Sequence, residues 1–217
     1  MTLAIFDLDN TLLGGDSDHA WGEFMVREGM VDAEQFRRAN DGFYEQYLAG
    51  TLDPMAHLEF VLEPLTRFDL DELERLHQRF MADLIEPMLL PRAADLLEEH
   101  RRAGDTLLII TATNAFVAAP IARRLGVDLV LATEPELLAD RYTGRVVGQP
   151  CFREGKITRL KQWLEETGES LEGACFYSDS HNDLPLLEHV SRPVAVDPDP
   201  ELERVARERG WPIISLR

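Results

Sequence analysis

Asp7 and Asp9 stand one residue apart where the apolar run Leu3-Ala4-Ile5-Phe6 ends, with Asn10 and Thr11 directly after them. Strand-forming residues that stop at two carboxylates read as a buried strand emptying into a site. An isolated Asp-x-Asp more often marks an Asx-turn or a helix N-cap, so the other strand ends must decide. Thr111 follows the continuous apolar run Leu107-Leu108-Ile109-Ile110, and Asp179 and Asp183 follow Ala174-Cys175-Phe176-Tyr177. In an open parallel sheet ligands bind beyond the carboxyl ends of the strands, which predicts that these groups meet. Carboxylates gathered in one place repel, and a hard divalent cation with oxygen ligands relieves them. Mg²⁺ is the expected ion, because it keeps positions for water and a phosphoryl oxygen. Lys156, preceded by Gly155 and opening a helical pattern, is placed to neutralise a phosphate oxygen. Taken singly, Lys156 reads as a solvated lysine and Thr111 as a helix cap; beside Asp7 and Asp179 both read as phosphate clamps.

The elements that must hold these residues alternate between short apolar strands and helices, which predicts an α/β fold with a parallel sheet covered on both faces. Between residues 14 and 86 the pattern changes to successive amphipathic helices. One is capped by Ser17 or Asp18, a second follows Asp32, a third starts at Asp53-Pro54, and a fourth runs from about Asp71 to Ile85. Trp21, Phe24, Phe43, Tyr44 and Tyr47 read as the core of this bundle. Residues 1–13 and 87–217 then form the α/β core. Pro91 and Gly104 bracket its next helix, Gly126 suits the end of another, and residues 141–153 read as an irregular hairpin.

The 217 residues suffice for one sizeable core plus an insertion. Forty acidic against 22 basic residues give a net charge of −18, which repels nucleic acid and anionic membranes. Residues 14–86 carry 17 acidic and 6 basic side chains, a net of −11. Two cysteines without C-x-x-C spacing suggest neither a disulfide framework nor a zinc site. With no export signal or membrane-length apolar run, the expected setting is the cytoplasm. Either a monomer or a small homo-oligomer fits the sequence.

Asp7-Leu8-Asp9-Asn10-Thr11, Ile109-Ile110-Thr111, Lys156 and Asp179-Ser180-His181-Asn182-Asp183 together resemble the four ordered motifs of the haloacid dehalogenase-like (HAD) phosphatases. The helical insertion after the first motif resembles the C1-capped, phosphoserine phosphatase-like members. Within that group, Asp16-Ser17-Asp18, Thr111-Ala112-Thr113-Asn114 and Tyr177-Ser178-Asp179-Ser180 are most similar to HAD-type histidinol-phosphate phosphatases. The resemblance implies a HAD-like (Rossmann-like) core with an α-helical C1 cap, and a phosphomonoesterase working through an aspartyl-phosphate. It implies Asp7 as nucleophile and Asp9 as acid and base. Mg²⁺ would be held by the Asp7 carboxylate, the Asp9 backbone carbonyl and Asp179. Thr111 and Lys156 would grip the phosphoryl group. Asp183 would orient metal-bound water or Lys156 from behind. Ser178 and Thr113 depart from the commoner family wording and read as marks of a different substrate.

The cap would select the leaving group. Asp16 and Asp18 are candidate receptors for an ammonium, the alternatives being a solvated turn and a helix N-cap; Glu23 is a weaker candidate. Asn114 would touch phosphate or substrate tail. His19 and His181 read as structural or exposed. An acidic cap favours histidinol phosphate over phosphoserine, whose carboxylate needs a cation; Arg27, Arg37 and Arg38 keep phosphoserine or another small phosphorylated metabolite as the alternative. A phosphoryl-accepting signalling or phosphate-binding domain is the rival outside enzymes, and Asp9 opposes it, since an acid/base beside the nucleophile promotes hydrolysis.

Overall fold

The computed structural model describes residues 2–217. Seven strands form one sheet in the order β4-β3-β2-β1-β5-β6-β7: β1 (Leu3–Phe6), β2 (Thr106–Asn114), β3 (Leu129–Leu138), β4 (Arg141–Val147), β5 (Cys175–Ser178), β6 (Arg192–Val196) and β7 (Ile213–Ile214). All neighbours pair in parallel except β3 and β4, which make an antiparallel hairpin at the edge. The chain leaves β1 for β2 on one side and later returns to β5 on the other. The crevice at the carboxyl end of β1 is thus the topological switch point, where α/β sheets bind ligands.

The period-two alternation of β1 assigns its side chains to two cores. Ala4 and Phe6 enter the cluster shared with the insertion, α6 (Pro91–Ala103) and α7 (Ala115–Arg124), whereas Leu3 and Ile5 enter the cluster under α8 (Glu154–Thr167), α9 (Leu184–Leu187) and α10 (Pro200–Arg209). The sheet is therefore covered on both faces, as its unbroken apolar runs predict.

The insertion between β1 and α6 consists of α1 (Ser17–Arg27), α2 (Ala33–Leu48), α3 (Pro54–Leu62), α4 (Leu70–Phe80) and the short α5 (Glu86–Met88), with a 3₁₀ turn at Glu63–Arg67. Asp32 and Asp53-Pro54 cap α2 and α3 as the sequence predicts. The α1 cap is different: Asp16, not Ser17 or Asp18, accepts the His19 amide at 2.8 Å. The helix expected to end at Ile85 passes through a π-helical turn, Met81–Ile85, before α5. Both ends of the insertion are drawn together, since Leu13 bridges Leu89 and Gly14 N donates to Met88 O at 2.7 Å. α10, absent from the sequence reading, is capped by Asp199-Pro200 and Gly210. Among the described residues no helix is long and apolar enough to cross a membrane.

Candidate active site

Asp7 leaves β1 with its amide bonded to Tyr177 O at 2.9 Å, which fixes it between β1 and β5. The following turn needs a left-handed residue, and Asn10 supplies it at φ 57°, a conformation Asn tolerates better than most side chains. Thr11 then reaches across to β5: its hydroxyl donates to Asp179 Oδ1 at 2.9 Å and accepts the Asp179 amide at 3.1 Å. Asp9 accepts the Ser17 amide at 2.6 Å and the Thr113 hydroxyl at 2.7 Å. Thr111 Oγ1 accepts the Thr113 amide at 3.1 Å, which leaves its own O–H free to donate.

Lys156 is buried beneath Asp7. Its ammonium lies 2.7 Å from Asp7 and 2.7 Å from Asp183, and Ser178 Oγ donates to Asp183 at 2.7 Å. Burial alone would lower the Lys156 pKa, but the charges of Asp183 and Asp7 outweigh it and hold the ammonium above its ordinary range. Burial raises Asp7 to about 7; Lys156 opposes the rise, and Asp183 and Asp9 add to it. Asp9, only partly exposed to the cleft, is likewise raised to about 7, by desolvation first and by Asp16 second. Asp179 is also held well above the carboxylate range, by burial and by Asp7.

This donor set fits a divalent cation. Burial raises the pKa of Asp7, Asp9 and Asp179 above the usual carboxylate range, while the buried Lys156 ammonium is shared by Asp7 and Asp183. A further positive charge between Asp7 and Asp179 would relieve that cost. Among the described residues no group of three or more His, Cys, Asp or Glu side chains is arranged to hold a metal. Two carboxylates completed by a backbone carbonyl and water do not require one.

A cleft of ≈ 700 Å³, open mouth included, rises from Asp7, Asp9 and Thr111 to the underside of the insertion. Among the described residues no Lys or Arg side chain lines it. Asp16 has one carboxylate oxygen committed to capping α1, and its pKa is raised to about 6 by burial and by Asp18. Both Asp18 oxygens are engaged: Asn114 Nδ2 donates to Oδ1 at 3.2 Å, and His57 Nε2 lies 3.1 Å from Oδ2. Burial disfavours charge on His57, but Asp18 outweighs it and raises its pKa. Asn114 also caps α7 through the Val117 amide at 3.3 Å; it lies beneath Asp18, outside the cleft lining.

Sequence reasoning missed His57, on the insertion's third helix, because nothing local pairs it with Asp18. It also assigned Phe43, Tyr44 and Tyr47 to the bundle core. Only Trp21 and Phe24 of that aromatic set are fully buried, whereas Phe43, Tyr44 and Tyr47 line the cleft with Phe152. Asn40, Phe43, Tyr44 and Tyr47 share one α2 face at i, i+3, i+4 and i+7, a stripe the sequence shows without saying which surface it covers. Thr113 and Ser178 position Asp9 and Asp183, a local reason for their departure from the commoner wording.

A parallel sheet with Asp-x-Asp at its switch point, a buried lysine and a helical insertion over the site defines a class of phosphoryl-transfer hydrolases. The haloacid dehalogenase-like hydrolase family matches residues 4–188, and the chain belongs to that family; it is a divalent-metal-dependent phosphatase acting through an aspartyl-phosphate. Among its relatives, the histidinol-phosphatase of Neisseria meningitidis serogroup C (strain 8013) is 48% identical over 219 residues, covering 99% of both chains. A Bordetella pertussis Tohama I protein of unknown function is 47% identical over the full length of both chains, with a TM-score of 0.94. A phosphoserine phosphatase, solved as a phospho-aspartyl intermediate analogue, shares the fold at TM-score 0.70 and 17% identity, over 100% of this chain and 93% of that one.

Proposed function

We propose that the chain hydrolyses L-histidinol phosphate to L-histidinol and phosphate, with residues 14–86 as a cap over a core of residues 1–13 and 87–217. The observation that carries this reading is the composition of the cleft. An ammonium-sized acidic corner at Asp16 and Asp18 faces aromatic rings of Phe43, Tyr44, Tyr47 and Phe152, with no Lys or Arg among the described lining residues to receive a carboxylate. A leaving group with an amine and a flat heteroaromatic ring, and without a carboxylate, matches that surface. Asp16 is the ammonium receptor, because it keeps an oxygen free; Asp18, held by Asn114 and His57, shapes the corner. The 48% identical histidinol-phosphatase supports the same substrate.

In this reading Asp7 attacks phosphorus in line, the ester P–O bond breaks, and Asp9 protonates the departing alkoxide. Asp9, now a carboxylate, takes a proton from water, which attacks phosphorus and releases Asp7. Its pKa of about 7 suits both halves of the cycle near neutrality. The Thr111 hydroxyl and Lys156 hold the transferring oxygens, and Asp183 keeps Lys156 charged and aimed. Asp7, Asp179 and the Asp9 carbonyl would hold Mg²⁺, which when bound neutralises phosphoryl charge. The two buried thiols suit a cytoplasmic setting. The protein's partner is a small metabolite, not nucleic acid or membrane, and a monomer or small homo-oligomer suffices for it.

The test is phosphate release from histidinol phosphate, phosphoserine and sugar phosphates, with Mg²⁺ or EDTA, for wild type and Asp7→Asn. Selective turnover of histidinol phosphate, lost with EDTA and in the variant, is expected. A preference for phosphoserine would overturn the substrate, and full activity of Asp7→Asn would overturn the nucleophile.

A further inference from the structure

The C-terminal end of α2 is gripped by side chains from two core loops that also carry active-site residues. Arg153 lies three residues before Lys156. Its Nε donates to Asn182 Oδ1 at 3.0 Å, and its guanidinium also donates to the carbonyl of Gly50, just past the end of α2. Asn182, between Asp179 and Asp183, donates through Nδ2 to Tyr47 O at 3.1 Å. The neighbouring Phe152 ring faces Tyr47 with centroids 6.1 Å apart, and the Arg153 guanidinium lies 5.2 Å from that Phe152 ring. The Asn182 amide is a second donor to the Tyr47 carbonyl, which also accepts the Gly50 amide at 3.0 Å, and the Arg153 cation stands at the negative end of the α2 dipole.

Two backbone observations show how tightly this contact is built. Arg153 sits at φ 50°, ψ −119°, which L residues rarely adopt, so the side-chain contacts and the surrounding loop must hold it there. Gly50, at φ +68°, has so little space that a Cβ would come within 2.7 Å of the Arg153 guanidinium and 3.0 Å of His181 Nε2. By contrast Gly29, at φ +69° beyond α1, has open space around it. Elsewhere α2 packs on α1, inside the insertion.

We propose that Arg153, with Asn182, is a positioning residue that latches the end of α2 onto the loops bearing Lys156 and Asp179. The latch seats Tyr44 and Tyr47 over the cleft in register with the phosphate site. It holds the leaving group without touching it, and it requires only the phosphatase reading, not a particular ester.

The test compares Arg153→Gly, which removes the side chain while easing the backbone, with Gly50→Ala and with Gly29→Ala as a control for strain alone. Each is assayed on histidinol phosphate and on acetyl phosphate, whose leaving group is too small to reach α2, and hydrogen exchange is followed at residues 48–52. Arg153→Gly and Gly50→Ala should raise KM for histidinol phosphate about tenfold, the loss of a charged hydrogen bond. They should change acetyl phosphate turnover less than about threefold and speed exchange at the α2 end, while Gly29→Ala behaves as wild type. Equal losses on both substrates, unchanged exchange at 48–52, or the same KM rise in Gly29→Ala would each overturn the latch. If wild type prefers another ester of the panel, that ester replaces histidinol phosphate: the substrate proposal fails and the latch is tested unchanged.

Discussion

In the proposed mechanism Asp9 has two tasks that need opposite protonation states, and its neighbours set the balance. Burial and Asp16 lift its pKa to about 7, while the amide of Ser17 and the hydroxyl of Thr113 stabilise the carboxylate and limit the rise. Thr113→Val removes one stabilising donor without adding charge. The Asp9 pKa should therefore climb further, and the alkaline limb of kcat/KM, where the general acid is lost, should move up by about half a pH unit. A pH profile of kcat/KM checks this, and an unmoved limb would assign that limb to another group. At this scale the sequence marked which candidate residues converge but not the company they keep. Asp7, Asp9, Thr111 and Asp179 were legible because strand ends converge by topology. The bonds from Thr113 to Asp9 and from His57 to Asp18 join residues 104 and 39 positions apart, and only the packed insertion brings the second pair together.

At the scale of the element, the start of α8 is where backbone geometry governs a side chain. An added Cβ at Gly155 would stand 2.0 Å from the carbonyl oxygen of Pro150, a backbone atom that cannot rotate away. Gly155→Ala must therefore shift the 150–156 loop, and Lys156, one residue on, moves off Asp7 and Asp183. Activity should fall by at least about a hundredfold, and stability should fall by roughly 1–3 kcal/mol. Steady-state kinetics and thermal melting decide it; near-wild-type kcat would mean the loop has slack that the structure does not show. Helix boundaries written in local chemistry were legible, as at Asp53-Pro54 and Gly104. The start of α1 was misplaced because Asp16, Ser17 and Asp18 are all competent caps, and selection among them follows from Asp9 binding the Ser17 amide. The π-helical turn after α4 leaves no mark in residue periodicity.

At the scale of the whole molecule, the insertion and core share one apolar cluster, and opposing titrations act across it. His77 on α4 lies in the seam, stacked on Trp21 and edge-on to Phe116 of α7. Burial lowers its pKa from 6.5 to about 4. Between these values the unfolded chain binds more protons, so His77 contributes its full stability above pH 6.5 and loses it as pH falls toward 4, by up to about 3 kcal/mol. Asp7 and Asp9 act with the opposite sign: raised from 3.8 to about 7, they bind more protons when folded, and stability is lost as pH rises from about 4 to 7. Melting curves in EDTA should therefore show two partly cancelling slopes. His77→Phe should remove the acid-side loss and leave stability rising as pH falls. Mg²⁺, competing with protons for the Asp7 site, should raise Tm at pH 7.5 by several degrees and at pH 5 by much less. Equal Mg²⁺ stabilisation at both pH values would place the ion away from Asp7, and an unchanged acid slope in His77→Phe would remove the histidine from the seam's energetics.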